Sequence, residues 1–129
     1  MPSEIYQEFI LELYKNPINF GKIENAELKA TSSNPLCGDY IEVFIKLDVS
    51  GKMVTEAKFI GTGCAISQAS ACLLTDHIRG KTLDKIKKMQ KENVLDLIKI
   101  DLRKNPSRLK CALLSLETIK KAIETFHSS

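Results

Sequence analysis

Three cysteines and one aspartate carry donor atoms that could meet at a single metal site. Cys37 and Asp39 lie in Asn34-Pro35-Leu36-Cys37-Gly38-Asp39, Cys64 in Gly61-Thr62-Gly63-Cys64-Ala65-Ile66-Ser67, and Cys111 in Arg108-Leu109-Lys110-Cys111-Ala112. No two of these cysteines form a CxxC pair. A shared site must therefore be assembled by the fold, from separate loops or element ends. Thiolates are soft donors that suit zinc or an iron–sulfur cluster, and a carboxylate is the weaker partner among them. Asp39 by itself reads as a turn residue. Beside three thiolates it supplies the fourth donor that a tetrahedral site wants. One weak donor makes a site exchangeable, which suits assembly and transfer better than permanent storage.

The elements that must position these residues follow from periodicity. Ser3 is expected to cap a first helix, in which Ile5, Tyr6, Phe9, Ile10 and Leu13 recur at helical spacing until Asn16-Pro17 stops it. Residues 26–32 read weakly as a strand. Residues 40–49 read strongly as one, because Ile41, Val43, Ile45, Leu47 and Val49 alternate with Tyr40, Glu42, Phe44, Lys46 and Asp48. Ser50-Gly51-Lys52 is a turn, and residues 53–60 return as a strand. Helical patterns follow at about 65–79, 82–91, 93–99 and 107–126. Strands first and helices after predict an α+β domain over residues 1–129, a three-stranded antiparallel sheet with helices mainly on one face.

On this plan Cys37 and Asp39 precede the long strand. Cys64 marks the passage from strand to helix, where Gly61 and Gly63 ease the backbone. Cys111 falls in the first turn of the last helix, behind Ser107 as its cap. Two cysteines are thus expected at helix N-termini, where partial positive charge favours thiolate.

Each cysteine must be weighed against a plain packing role. In the last helix, Leu109, Ala112, Leu113, Leu116, Ile119, Ile123 and Phe126 form one stripe, and Cys111 projects well away from its middle. Cys37 sits in a polar loop, a poor place for a packing thiol. Cys64 is less clear, since Ala65, Ser67, Ala69, Ser70 and Ala71 suggest a tightly packed helix. Cys72, mid-helix before Leu73-Leu74, reads as core. Lys110 and Arg108 are either ordinary surface cations or modulators that favour the Cys111 thiolate. His77 and His127 lack a ligand-like setting. The lysines from Lys81 to Lys91 read as a solvated helix face.

The bulk properties narrow the field further. The chain has 129 residues, 43% of them hydrophobic and 27% charged, with a net charge of +3. One globular domain is expected. The lysines are scattered and aromatics make up only 6%, which argues against nucleic acid. Short apolar runs argue against a membrane span. The start, Met1-Pro2-Ser3-Glu4-Ile5-Tyr6, lacks the pattern of a signal peptide, so a cytoplasmic protein with reduced cysteines is expected.

The three cysteine segments, in this order, resemble the U-type iron–sulfur assembly scaffolds: the IscU, NifU N-terminal and SufU family. The resemblance extends to Gly61-Thr62-Gly63-Cys64-Ala65-Ile66-Ser67-Gln68-Ala69-Ser70 and covers nearly the whole chain. It implies that Cys37, Asp39, Cys64 and Cys111 match the family's metal or cluster ligands. It also implies a [2Fe–2S] cluster built with sulfur from a cysteine desulfurase, for delivery to apo iron–sulfur proteins. In the SufU branch it implies zinc at the same position and acceptance of persulfide sulfur.

The chain departs from both branches. Lys110 stands where IscU proteins carry His before the third cysteine. Asn105-Pro106-Ser107-Arg108-Leu109-Lys110 replaces their Leu-Pro-Pro-Val-Lys chaperone motif, which argues against a dedicated Hsp70-type partner. Arg108-Leu109-Lys110-Cys111-Ala112 looks SufU-like, yet the short separation of Cys64 and Cys111 lacks the usual SufU insertion. The expectation is a scaffold and sulfur acceptor, with Cys111 or Cys37 taking the sulfur. A zinc-bound sulfurtransferase is the alternative, and a structural zinc module is the third reading.

Overall fold

The computed structural model describes residues 2–34, 38–99, 102 and 104–128. Its elements run α1 (Pro2–Lys15), β1 (Leu28–Asn34), β2 (Asp39–Leu47), β3 (Val54–Thr62), α2 (Ala65–Ile78), α3 (Leu83–Lys87), α4 (Lys91–Ile98) and α5 (Pro106–Ser128). The strands form an antiparallel sheet in the order β1-β2-β3. The predicted α+β architecture is the observed one.

Period-2 alternation places Ile41, Val43, Ile45 and Leu47 on the face that the helices cover, and all four are buried. Phe44, on the opposite face, is also buried. Its register partners are Lys29 and Lys58, and Lys29 Nζ lies 5.7 Å from its ring centroid. Long lysine stems can shield a ring while their ammonium groups stay wet. Val49 does not continue the strand. β2 ends at Leu47, and the Asp48 carboxylate accepts from the Ser50 hydroxyl at 2.7 Å and from the Lys52 and Met53 N–H groups. Those bonds close the turn and leave Val49 fully exposed.

The helix starts also differ from expectation. α1 begins at Pro2, so Ser3 lies inside the helix rather than capping it. A proline at the first position has no N–H to leave unpaired. The stretch 82–91 holds only a five-residue helix, capped by the Thr82 side chain, and α4 starts earlier than expected, at Lys91. Leu83, Ile86 and Met89 are buried while Lys85, Lys87 and Lys88 are exposed, as a solvated lysine face requires. Residues 19–21 run along the outer edge of β3, where Phe59 N–H donates to Asn19 O at 3.0 Å and Gly21 N–H to Phe59 O at 2.8 Å. That segment covers backbone groups an edge strand would otherwise expose. Among the described residues, no helix is long and apolar enough to cross a membrane.

Candidate metal centre

Antiparallel pairing brings the start of β2 beside the end of β3, with Tyr40 opposite Thr62 and Ile41 opposite Gly61. Asp39 therefore lies next to the passage Gly63-Cys64. Its buried carboxylate accepts the Cys64 backbone N–H at Oδ1, at 2.9 Å, and Oδ2 lies 4.0 Å from Cys64 Sγ. Gly63 has φ +146°, and a Cβ added there would overlap the Asp39 carboxylate. A Cβ at Gly61 would meet the Tyr40 carbonyl. The two glycines thus do more than bend the chain: they let the carboxylate and the neighbouring strand come close.

Cys64 is the N-cap of α2, as expected. Its sulfur accepts the Ser67 N–H at 3.5 Å, and the Ser67 hydroxyl donates to the Cys64 carbonyl at 3.1 Å. The Cys64 side chain is exposed. Cys111 departs from expectation in two ways. α5 begins at Pro106, with Asn105 Oδ1 accepting the Arg108 N–H at 3.3 Å, so Ser107 lies inside the helix and Cys111 falls in its second turn. Cys111 is also buried, 4% exposed, rather than turned away from the core. The reason is that α5 packs on β1 and β2 as well as on α2 and α4. Its buried arc is wider than its leucine stripe and takes in Ser115 and Thr118, while Leu109 and Leu113 are only partly buried.

Asp39, Cys64 and Cys111 come together, with one ligand atom from each all within 4.8 Å of one another. Zinc–sulfur bonds near 2.3 Å and tetrahedral angles need donors about 4 Å apart, so this set has the spacing to hold a single metal ion. Cys37, the fourth expected donor, lies outside the described residues. Lys110 and Arg108 are exposed on α5. The Ser67 and Asp39 bonds that hold Cys64 were not anticipated. The signal was there in the Cys64–Ser67 spacing, which is that of a cap and its partner.

Cys72 takes no part in the cluster. It is fully buried, its thiol 3.9 Å from the Leu13 carbonyl, and burial raises its pKa from 9.0 to about 11. A thiol whose pKa is higher folded than unfolded holds its proton in the native state while the unfolded chain loses it. Stability should therefore fall as pH rises from about 9 to 11, by at most about 1.4 kcal/mol per pH unit. Cys72→Ala should lose about 1 kcal/mol at neutral pH and show a shallower fall above pH 9. Urea unfolding of both proteins at pH 7, 9 and 10.5 measures this, and parallel pH curves would refute it.

The profile of the NifU-like N-terminal domain family matches residues 5–129. The zinc-dependent sulfurtransferase SufU of Bacillus subtilis is 37% identical, covering 92% of this chain and 89% of that protein. The iron-sulfur cluster assembly scaffold protein IscU of Thermotoga maritima is 35% identical, covering 93% of each. Among solved structures, a putative iron-sulfur cluster assembly scaffold protein for the SUF system from Fervidobacterium islandicum superimposes with a TM-score of 0.77 at 32% identity, covering 90% of this chain and 94% of that one.

Proposed function

Because the chain belongs to the NifU-like N-terminal domain family, we propose that it accepts sulfur from a cysteine desulfurase and holds a nascent [2Fe–2S] cluster for transfer to apo proteins. The observation that carries this reading is the convergence of Asp39, Cys64 and Cys111 on one point. Cys37 supplies the fourth donor, on the strength of its place two residues before Asp39. Residues 1–129 act as one scaffold domain, a reading supported by the family match and by a single core cluster running from α1 to α5.

The sulfur step needs no general base. A scaffold thiolate attacks the outer sulfur of the desulfurase persulfide, a new S–S bond forms, and the desulfurase cysteine leaves as thiolate. The sulfur moves at zero oxidation state, so no oxidant or reductant is consumed. Cys37 and Cys111 are the proposed acceptors. Cys111 is buried, with the exposed Cys64 close beside it. Thiol chemistry of this kind belongs in a reducing compartment such as the cytoplasm. No dedicated Hsp70-type chaperone is proposed, since Asn105–Lys110 replaces the chaperone motif.

The test is anaerobic reaction with a cysteine desulfurase, cysteine and ferrous iron. A scaffold gains iron and sulfide together and develops [2Fe–2S] absorption. The second reading, a zinc-bound sulfurtransferase, rests on the 37% identity to the Bacillus subtilis protein. It would keep its zinc, raise desulfurase turnover and show no cluster absorption.

Lys110 separates the sulfur step from metal holding. It is exposed one residue before Cys111, and a protonated lysine has no lone pair for a metal. Lys110→Ala is expected to slow sulfur acceptance about tenfold, the effect of losing a cation from a docking or thiolate-stabilising position. Zinc affinity should stay within about twofold, since no ligand is lost. Competition with a chelator and single-turnover sulfur transfer measure the two effects. Release of the metal would put Lys110 among the ligands.

A further inference from the structure

Two polar side chains sit one turn behind the cysteines of the metal centre, each with a buried polar atom that finds no partner among the described residues. Gln68 is 6% exposed, and its Nε2 finds no hydrogen-bond partner among the described residues. Ser115 Oγ is likewise buried and without a partner among them. Gln68 follows Cys64 by four residues, and its backbone N–H donates to the Cys64 carbonyl at 3.2 Å. Ser115 follows Cys111 by four.

On a helix, residues four apart share a face, and a long side chain lies back over the turn that precedes its own Cα. The Gln68 amide is thus carried toward Cys64. Farther along the same face, the Cys72 thiol meets the Leu13 carbonyl and Thr75 Oγ1 accepts from Asn19 Nδ2 at 3.3 Å. α1 and the segment after it therefore close this face of α2 against water. A buried amide donor with no acceptor is costly, and such groups are few in native proteins. One turn back along the helix, the Cys64 sulfur is an acceptor whose strength changes with the state of the protein. As a thiol it is a weak acceptor, and as a ligating thiolate it is a strong one.

We propose that Gln68 is a positioning residue whose side-chain amide donates to the Cys64 sulfur once that sulfur binds metal or cluster. This rests on the reading of Asp39, Cys64 and Cys111 as the holding site. N–H groups aimed at a ligating sulfur orient it and draw off charge, and removing such a partner costs affinity for the metal.

The test uses zinc, and cobalt(II) as a coloured stand-in for it. Gln68→Met keeps the approximate volume and has no donor. It should bind zinc about tenfold more weakly and shift the sulfur-to-cobalt charge-transfer band. The melting temperature of its metal-free form should stay level or rise, because the unpaired amide is gone. Gln68→Glu, an acceptor only when ionised, should weaken zinc binding at least as much. Zinc affinity and a cobalt band equal to the parent's in Gln68→Met overturn the proposal. So does a lower metal-free melting temperature with an unmoved band, which marks a packing role. A parent protein that takes up neither metal overturns the site reading as well, whereas a parent that binds both leaves only the Gln68 assignment at stake.

Discussion

Cys64→Ser is expected to lose zinc by well over ~100-fold in affinity while leaving the fold intact, because losing a ligand costs more than losing a partner that orients one. Cys64 does two jobs that these variants separate. Its sulfur is one of the three converging donors, and it also caps α2 by accepting the Ser67 N–H. Serine caps a helix as well as any residue, but its hydroxyl is a poor replacement for a soft thiolate. Cys64→Ala removes both functions. It should match the serine variant in metal loss and be less stable than it by about 1 kcal/mol, the usual worth of a cap. Chelator competition and urea unfolding of the metal-free proteins give the two quantities. A cooperative loss of helix when Cys64→Ser sheds its metal would mean that the metal holds the fold, as in a structural zinc module. Retained affinity would remove Cys64 from the ligand set.

Gly63→Ala is expected to cost about 3 kcal/mol of stability. Two causes add. At φ +146° an L side chain is strained, and the new Cβ would occupy the space of the buried Asp39 carboxylate. Pushing that carboxylate aside breaks its bond to the Cys64 N–H and leaves both groups unpaired. Gly51→Ala is the control. Its φ is +74° and nothing lies within 4 Å of the added Cβ, so strain alone should cost about 1 kcal/mol. Denaturant unfolding compares the two. Gly63→Ala should also bind zinc more weakly, since Asp39 and Cys64 are the groups displaced. Equal losses for the two glycines would show that Asp39 yields freely.

Much of the fold was legible from local pattern. Ile41, Val43, Ile45 and Leu47 alternate so cleanly that only one register buries them all, and the observed sheet uses it. Cys72 reads as core because it sits mid-helix directly before Leu73-Leu74, and it is fully buried. Errors gathered where a boundary depends on one bond or one partner. The Asp48 carboxylate ends β2 two residues before the apolar pattern does. The short helix α3 stops at Lys87 although its composition would let it continue.

The inventory and order of the site are legible in residue types and their spacing: two thiols and a carboxylate among the described residues, Cys37 as the proposed fourth donor, and the glycines before Cys64. They are legible because donor chemistry belongs to the residue and strand–glycine–helix passages are local. How deep each donor lies depends instead on packing between elements distant in the chain. Cys111 is buried because α5 is packed from more than one side, and a one-helix stripe counts only the face its leucines prefer. Cys64 is exposed because a cap residue stands at the end of its helix. Asp39 meets Cys64 because antiparallel pairing sets the first residue of one strand beside the last of the next, a contact between residues 25 apart that no local spacing encodes.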